Sequence, residues 1–262
     1  YSALWLPEAG GRDPFVLAGL LLEHTTELVV ATGVANLYAR DAMAMKATQY
    51  GLAEQSGGRF LLGIGVSHQL LVEDIRGHVY QRPLATMRSY LERMSSAGYG
   101  GPAPATPPPT VIAALGPRML ELARDLADGA HPYMVTPEHT KRAREILGPD
   151  KLLCVEQKAV LEPDSEKARG IARASAALSM GLTLPNYRRS LMRLGFADDD
   201  FENGLSDRLI DAIVAWGDAD AIRDRVRAHY DAGATHVCIH PLHPEQRSVP
   251  HEPLIDALAP DA

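Results

Sequence analysis

The stretch "RFLLGIGVSH", residues 59–68, decides the fold. From Phe60 to Val66 it is apolar on successive residues rather than on alternate ones, the pattern of a parallel strand covered on both faces. Two closely spaced glycines sit inside it, and Ser67 and His68 stand at its end. Immediately upstream, Gly57-Gly58 stops a helical pattern that Asp41 caps and that runs through Met43, Met45 and Leu52. Helix, glycine stop, buried strand: this is one repeat of a βα chain.

Working outward, the same alternation recurs. Apolar runs at 3–7, 28–34, 60–66, 110–115, 130–135, 152–161 and 236–240 are separated by amphipathic stretches with readable ends. Thr136-Pro137 opens a helix that closes at Gly148-Pro149, and Pro117 occupies a first-turn position in "GPRMLELARDLADG", where Met119, Leu122, Ala123 and Leu126 share a face. Seven strands in this rhythm predict an α/β fold, a (β/α)8 TIM barrel in one domain spanning 1–262. The count is one short, so the first βα unit, on the order of 30 residues, is expected upstream of Tyr1. An open doubly wound sheet is the alternative. Two connections, after strands 4 and 7 of the full barrel count, are long enough to hold helical insertions. One covers 67–109 and ends in the extended, poorly packed "GYGGPAPATPPP"; the other covers 164–235 and carries "LPNYRRSLMRLGF". Both follow strands, so both are expected over the catalytic face.

Composition narrows the partners. A net charge of −7 without a long Lys/Arg run argues against nucleic acid, and no apolar run approaches the ~20 residues of a membrane span. Cys154 and Cys238 each lie in an apolar run and read as buried reduced thiols, which, with no signal-peptide pattern, points to the cytoplasm.

In order along nearly the whole chain, "ALWLPE" (3–8), "VVATGVAN" (29–36), "AEQSGGRFLLGIGVSH" (53–68), "ALGPRMLELARDLADGAHPYMVTPEHT" (114–140) and "WGDADAIRDRVRAHYDAGATHVCIH" (216–240) resemble the luciferase-like monooxygenase superfamily. Within it they are similar to the actinobacterial branch that uses the deazaflavin coenzyme F-420. The resemblance implies a TIM barrel, a deazaflavin or FMN at the C-terminal face, hydride chemistry on a small organic substrate, and a homodimer. The dimer is expected through helices flanking strands 2 and 3, where Phe15, Leu17, Leu20, Leu21 and Leu22 offer more apolar surface than one core stripe needs.

Each site residue carries two readings. Gly63 and Gly65 serve close packing, or let backbone approach a flat ring; the resemblance puts Val66, Ser67 and His68 at the border of that ring, with Gly65 counted among the cofactor-binding residues. Thr32-Gly33-Val34 is a rim bulge, or the non-proline cis peptide that relatives carry under the ring, with Asn36 at the ring's polar edge. Gly116-Pro117-Arg118 joins a helix N-terminus to a guanidinium, a sound anion site that the resemblance assigns to the cofactor phosphate; otherwise Arg118 is a solvated first-turn residue. Glu8 is a rim carboxylate or a proton-transfer group. Ala9 stands where several relatives have a histidine, and it can supply no proton. In sugar-phosphate-oxidising relatives a glutamate holds the place of His68, so His68 is either the acid–base group or a ligand of the following loop. A metal-dependent hydrolase using His68, His131 and His240 is a competing reading, but "HVCIHPLHP" offers no carboxylate before Glu245 and no metal is expected. A non-catalytic flavin-binding barrel is the third.

Overall fold

The computed structural model describes residues 1–175, 178, 182–246 and 249–260. The chain divides into two compact units, one formed by Tyr1–His131 with Asp150–Leu152, the other by Pro132–Pro149 with Leu153–Ala262.

In the first unit the strands are β1 (Ala3–Leu6), β2 (Val29–Thr32), β3 (Ala35–Asn36), β4 (Phe60–Gly65), β5 (Thr110–Ile112) and β6 (Gly129–Ala130). They form a parallel sheet in the order β1-β2-β4-β5-β6, with β3 pairing β4 at the tip. The helices are α1 (Pro14–Glu23), α2 (Ala42–Gln55), α3 (Pro83–Ser96) and α4 (Pro117–Leu126). Their starts follow from local chemistry. Asp13 accepts the backbone N–H groups of Phe15 and Val16, Asp41 accepts that of Ala44, and proline occupies the first turn of α1, α3 and α4. β4 is the spine: Phe60, Leu62, Ile64 and both glycines are buried. The 67–109 connection holds a π-helical turn, Leu71–Ile75, and α3. Its proline-rich end is pinned more firmly than expected, because the buried Gln49 amide donates to the carbonyls of Pro108 and Pro109 and to Thr110.

The second unit is built on β7 (Leu152–Leu161), which pairs in parallel with β8 (Val214–Gly217) and with β9 (His236–Pro241). Its helices are α5 (Pro137–Leu147), α6 (Ser165–Ala174), α7 (Pro185–Met192), α8 (Asp207–Ile213), α9 (Ala219–Asp231) and α10 (Glu252–Ala257). Part of the 164–235 connection, residues 176, 177 and 179–181, lies outside the described residues.

Three expectations change. The 164–235 connection is not purely helical, since β8 lies within it. Leu209, Ile210, Ile213 and Val214 continue a helical spacing straight across the boundary, and Val214 both ends α8 and begins β8. In α4 the buried side chains are Leu120, Leu122 and Ala123, while Leu126 faces outward. And β7 is not an apolar run throughout: Glu156, Gln157 and Lys158 are all buried in its middle. Cys154 and Cys238 are free thiols, and burial pushes both up to about 12. Among the described residues no helix is long and apolar enough to cross a membrane.

Candidate active site

The carboxyl ends of β1, β2 and β4 bring most of the expected residues into one neighbourhood of the first unit. At the end of β2, Thr32 is fully buried and its hydroxyl both donates to the Gly63 carbonyl at 2.7 Å and accepts the Gly63 N–H at 2.9 Å. The next peptide, Gly33–Val34, is cis, as the resemblance implies. Gly33 lies over a stacked pair, Trp5 and His131, whose centroids are 4.3 Å apart and whose planes differ by 12°; a Cβ on Gly33 would stand 3.3 Å from each.

The glycines of β4 have a packing cause. A Cβ on Gly63 would fall 2.0 Å from the Thr32 carbonyl oxygen, and one on Gly65 would fall 2.7 Å from Cγ2 of Val34. They admit the β2 tip rather than leaving an open face, so any ring would meet Val34 and not bare glycine backbone.

Glu8 commits both oxygens to the protein. Oε1 accepts from Arg40 and Oε2 from the backbone N–H of Asn36, each at 2.7 Å. Arg40 also pairs with Asp13 and lies 4.4 Å from the centroid of the Phe15 ring. Glu8 is thereby a holder of the Asn36 segment. Asn36 is buried, its Oδ1 accepts the Tyr38 N–H at 2.9 Å, and its Nδ2 has no partner among the described residues.

Beyond β4, Ser67 takes a left-handed conformation, φ 57°, which L-residues other than glycine adopt at a cost. The chain therefore turns sharply there, and the His68 carbonyl accepts the Val72 N–H at the entry to the π-helical turn. Burial pushes the half-buried His68 imidazole below its usual value, so it is neutral at pH 7. After β5, α4 opens at Gly116 with Pro117 at its first position and neither a side-chain cap nor an acidic residue in its first turn. Arg118 is exposed and has no carboxylate partner among the described residues. That arrangement fits an oxyanion.

Two components escaped the sequence reading. Arg40 sits in "YARD" with no signature, because its partners Glu8 and Asp13 are 32 and 27 residues distant. The Trp5–His131 stack likewise joins the first strand to the end of the unit. Among the described residues, no three His, Cys, Asp or Glu side chains gather to hold a metal ion.

Comparison with known proteins places the chain in a family. The profile of the family described as luciferase-like monooxygenase matches residues 1–236. The chain belongs to that family. It is 26% identical over 292 residues to the 5,10-methylenetetrahydromethanopterin reductase of Archaeoglobus fulgidus, an alignment covering 94% of this chain and 87% of the reductase. Its fold is shared with an F-420-dependent secondary alcohol dehydrogenase solved with an F-420-acetone adduct (TM-score 0.72, 13% identity, 91% of this chain and 84% of that one). It is shared too with the FMN-bound oxygenating constituent of 3,6-diketocamphane monooxygenase of Pseudomonas putida (TM-score 0.66, 15% identity, 91% and 81%). Family members so matched are oxidoreductases and monooxygenases, and this chain is an enzyme of the luciferase-like family with an α/β fold of parallel strands.

Proposed function

We propose that the protein is an F-420-dependent oxidoreductase that transfers a hydride to or from a small organic molecule. The observation that carries this reading is the β1-β2-β4 strand tip: the buried Asn36 amide, whose Nδ2 has no partner among the described residues, and the Ser67-His68 turn, both at the ends where parallel α/β proteins bind ligands. The structural neighbour solved with F-420 supports the deazaflavin. The FMN-bound neighbour favours a second reading, an FMN-dependent monooxygenase.

The residues suit a flat, phosphate-bearing cofactor. Val34 and Val66 would form the floor, with Thr32, Gly33 and Gly65 packed beneath them, Asn36 and Ser67 would donate to the ring's polar edge, and Gly116, Pro117 and Arg118 would take the phosphate. A deazaflavin supplies a hydride acceptor or donor at its C5. Glu8, with Arg40, holds the Asn36 backbone in place, and neutral His68 takes or gives the substrate proton. The protein acts in the cytoplasm and as a homodimer in this reading.

Titrating the purified protein with F-420 and separately with FMN, followed by fluorescence, tests it. Tight F-420 binding with no FMN binding is the expected result; FMN alone binding would overturn it in favour of the monooxygenase.

A further inference from the structure

The second unit buries a charge relay that the proposed cofactor site does not use. Lys158 is fully buried; its Nζ donates to Oε1 of Glu156 at 2.8 Å and lies 3.6 Å from the centroid of the Tyr133 ring. The same Oε1 is 3.0 Å from Nδ1 of His240, and Oε2 accepts the Met134 N–H at 3.2 Å. Tyr187 packs against Tyr133, with ring centroids 5.8 Å apart and planes tilted by 59°.

Stability does not account for this cluster. A buried ion pair loses in desolvation about what it gains in attraction, and apolar residues of the same size commonly serve a core as well or better. The cluster also opens in one direction. The Glu156 side chain is 4% exposed while that of His240 is 37% exposed. Burial pushes the Glu156 carboxyl up, but Lys158 and His240 outweigh it and hold the group ionised. An ionised carboxylate only accepts, so Nδ1 of His240 carries the proton and, in the neutral ring, Nε2 is left with its lone pair. Among the described residues Nε2 has no partner. His240 is the fifth of the six residues of β9, and Lys158 and His240 are register partners near the carboxyl ends of their strands.

We propose that His240 is an acid–base group of a ligand site in the second unit, with Glu156 and Lys158 as positioning residues, and that the ligand it takes is an uncharged compound presenting a hydroxyl. The lone pair on Nε2 calls for a donor. The Lys158 and Glu156 charges cancel, so no net charge attracts an ion, and the Tyr133 ring supplies an apolar wall. In the proton step the ligand's O–H bond breaks, a bond forms from the proton to Nε2, and the electron pair stays on oxygen. Glu156 faces the imidazolium so formed, and the reverse step returns the proton. This inference does not depend on which cofactor binds.

The test uses the full chain with labelled histidine. In side-chain nitrogen NMR, neutral His240 shows the Nδ1–H tautomer with an unprotonated Nε2, and diethyl pyrocarbonate acylates His240 at least tenfold faster than the buried His131, as mapped by peptide mass. Propan-2-ol and cyclohexanol move the Nε2 resonance saturably. Glu156→Gln and Glu156→Asp slow acylation, and the wild-type readings stand even if a variant fails to fold. A protonated Nε2 in the neutral ring, an inert His240, or a resonance that answers acetate and not the alcohols would overturn the proposal.

Discussion

Thr32 and Gly63 are tied by a reciprocal pair of hydrogen bonds through a single hydroxyl, with the Thr32 carbonyl filling the space where a Cβ of residue 63 would stand. The two strands thereby approach more closely than any other residue at 63 permits. Gly63→Ala should destabilise the protein by about 3 kcal/mol or more, because the obstacle is backbone and cannot swing aside. Gly51→Ala, in α2 with nothing within 4 Å of its added Cβ, should instead stabilise by about 0.5–1 kcal/mol. Urea unfolding of both variants checks this; a Gly63→Ala midpoint near wild type would show that β2 and β4 are not so tightly apposed.

Arg118 is exposed at the unsupported start of α4, so its removal should cost little stability and much affinity. Arg118→Ala should weaken cofactor binding by about 1.5–3 kcal/mol, roughly 10- to 100-fold, the value of a charge-assisted hydrogen bond. Equal affinity by titration calorimetry at moderate salt would place the phosphate elsewhere.

Burial keeps His68 neutral to a lower pH than a free imidazole. Its proton-accepting form then persists above neutrality and is lost on the acid side. His68→Gln, which retains hydrogen bonding, should leave cofactor affinity nearly intact, lower kcat about 10²–10⁴-fold and abolish the acid limb of the pH profile. An unchanged profile would assign His68 to the loop.

His229 is fully buried between Gln157 and Thr140. The Gln157 amide nitrogen donates to the carbonyls of Lys158 and Ile213, so its oxygen accepts from Nε2 and the Thr140 hydroxyl donates to Nδ1. Burial, with Arg225 nearby, pushes the imidazole down to about 4. The unfolded chain then binds more protons between about pH 6.5 and pH 4, and stability falls as pH drops through that window, by about 3 kcal/mol in all. Glu156, held down to about 2, adds its own loss only at lower pH. Because burial also lowers His68, His236 and His251, urea unfolding at pH 7 and pH 5 is compared between wild type and His229→Gln to isolate this histidine; an NMR titration of His229 near 6.5 would refute it.

On α1, Phe15 and Leu22 turn into the core, Leu17 and Leu21 are partly covered, and Val16 and Leu20 stand 76% and 56% exposed. The apolar surface left for a partner copy is therefore narrower than the sequence implies and centres on Val16 and Leu20. Wild type should sediment as a dimer and Leu20→Glu as a monomer at micromolar concentration; a monomeric wild type would remove the dimer.

The sequence by itself determined what depends on neighbours along the chain. Caps at Asp41 and Thr136, first-turn prolines at 117 and 137, and the doubly covered run at 60–66 are local statements, and with them came the α/β class and the strand tips that carry Glu8, Asn36, Ser67 and His68. Tertiary structure decided what depends on partners distant in sequence. Whether Gly63 serves a ring or a strand was settled by Thr32, 31 residues earlier, and whether Glu156 belongs to a surface or a buried site by His240, 84 residues later. Three polar residues inside a strand carry no such information until the fold supplies their partners, because the cost of burying a charge is met only by groups brought in through space.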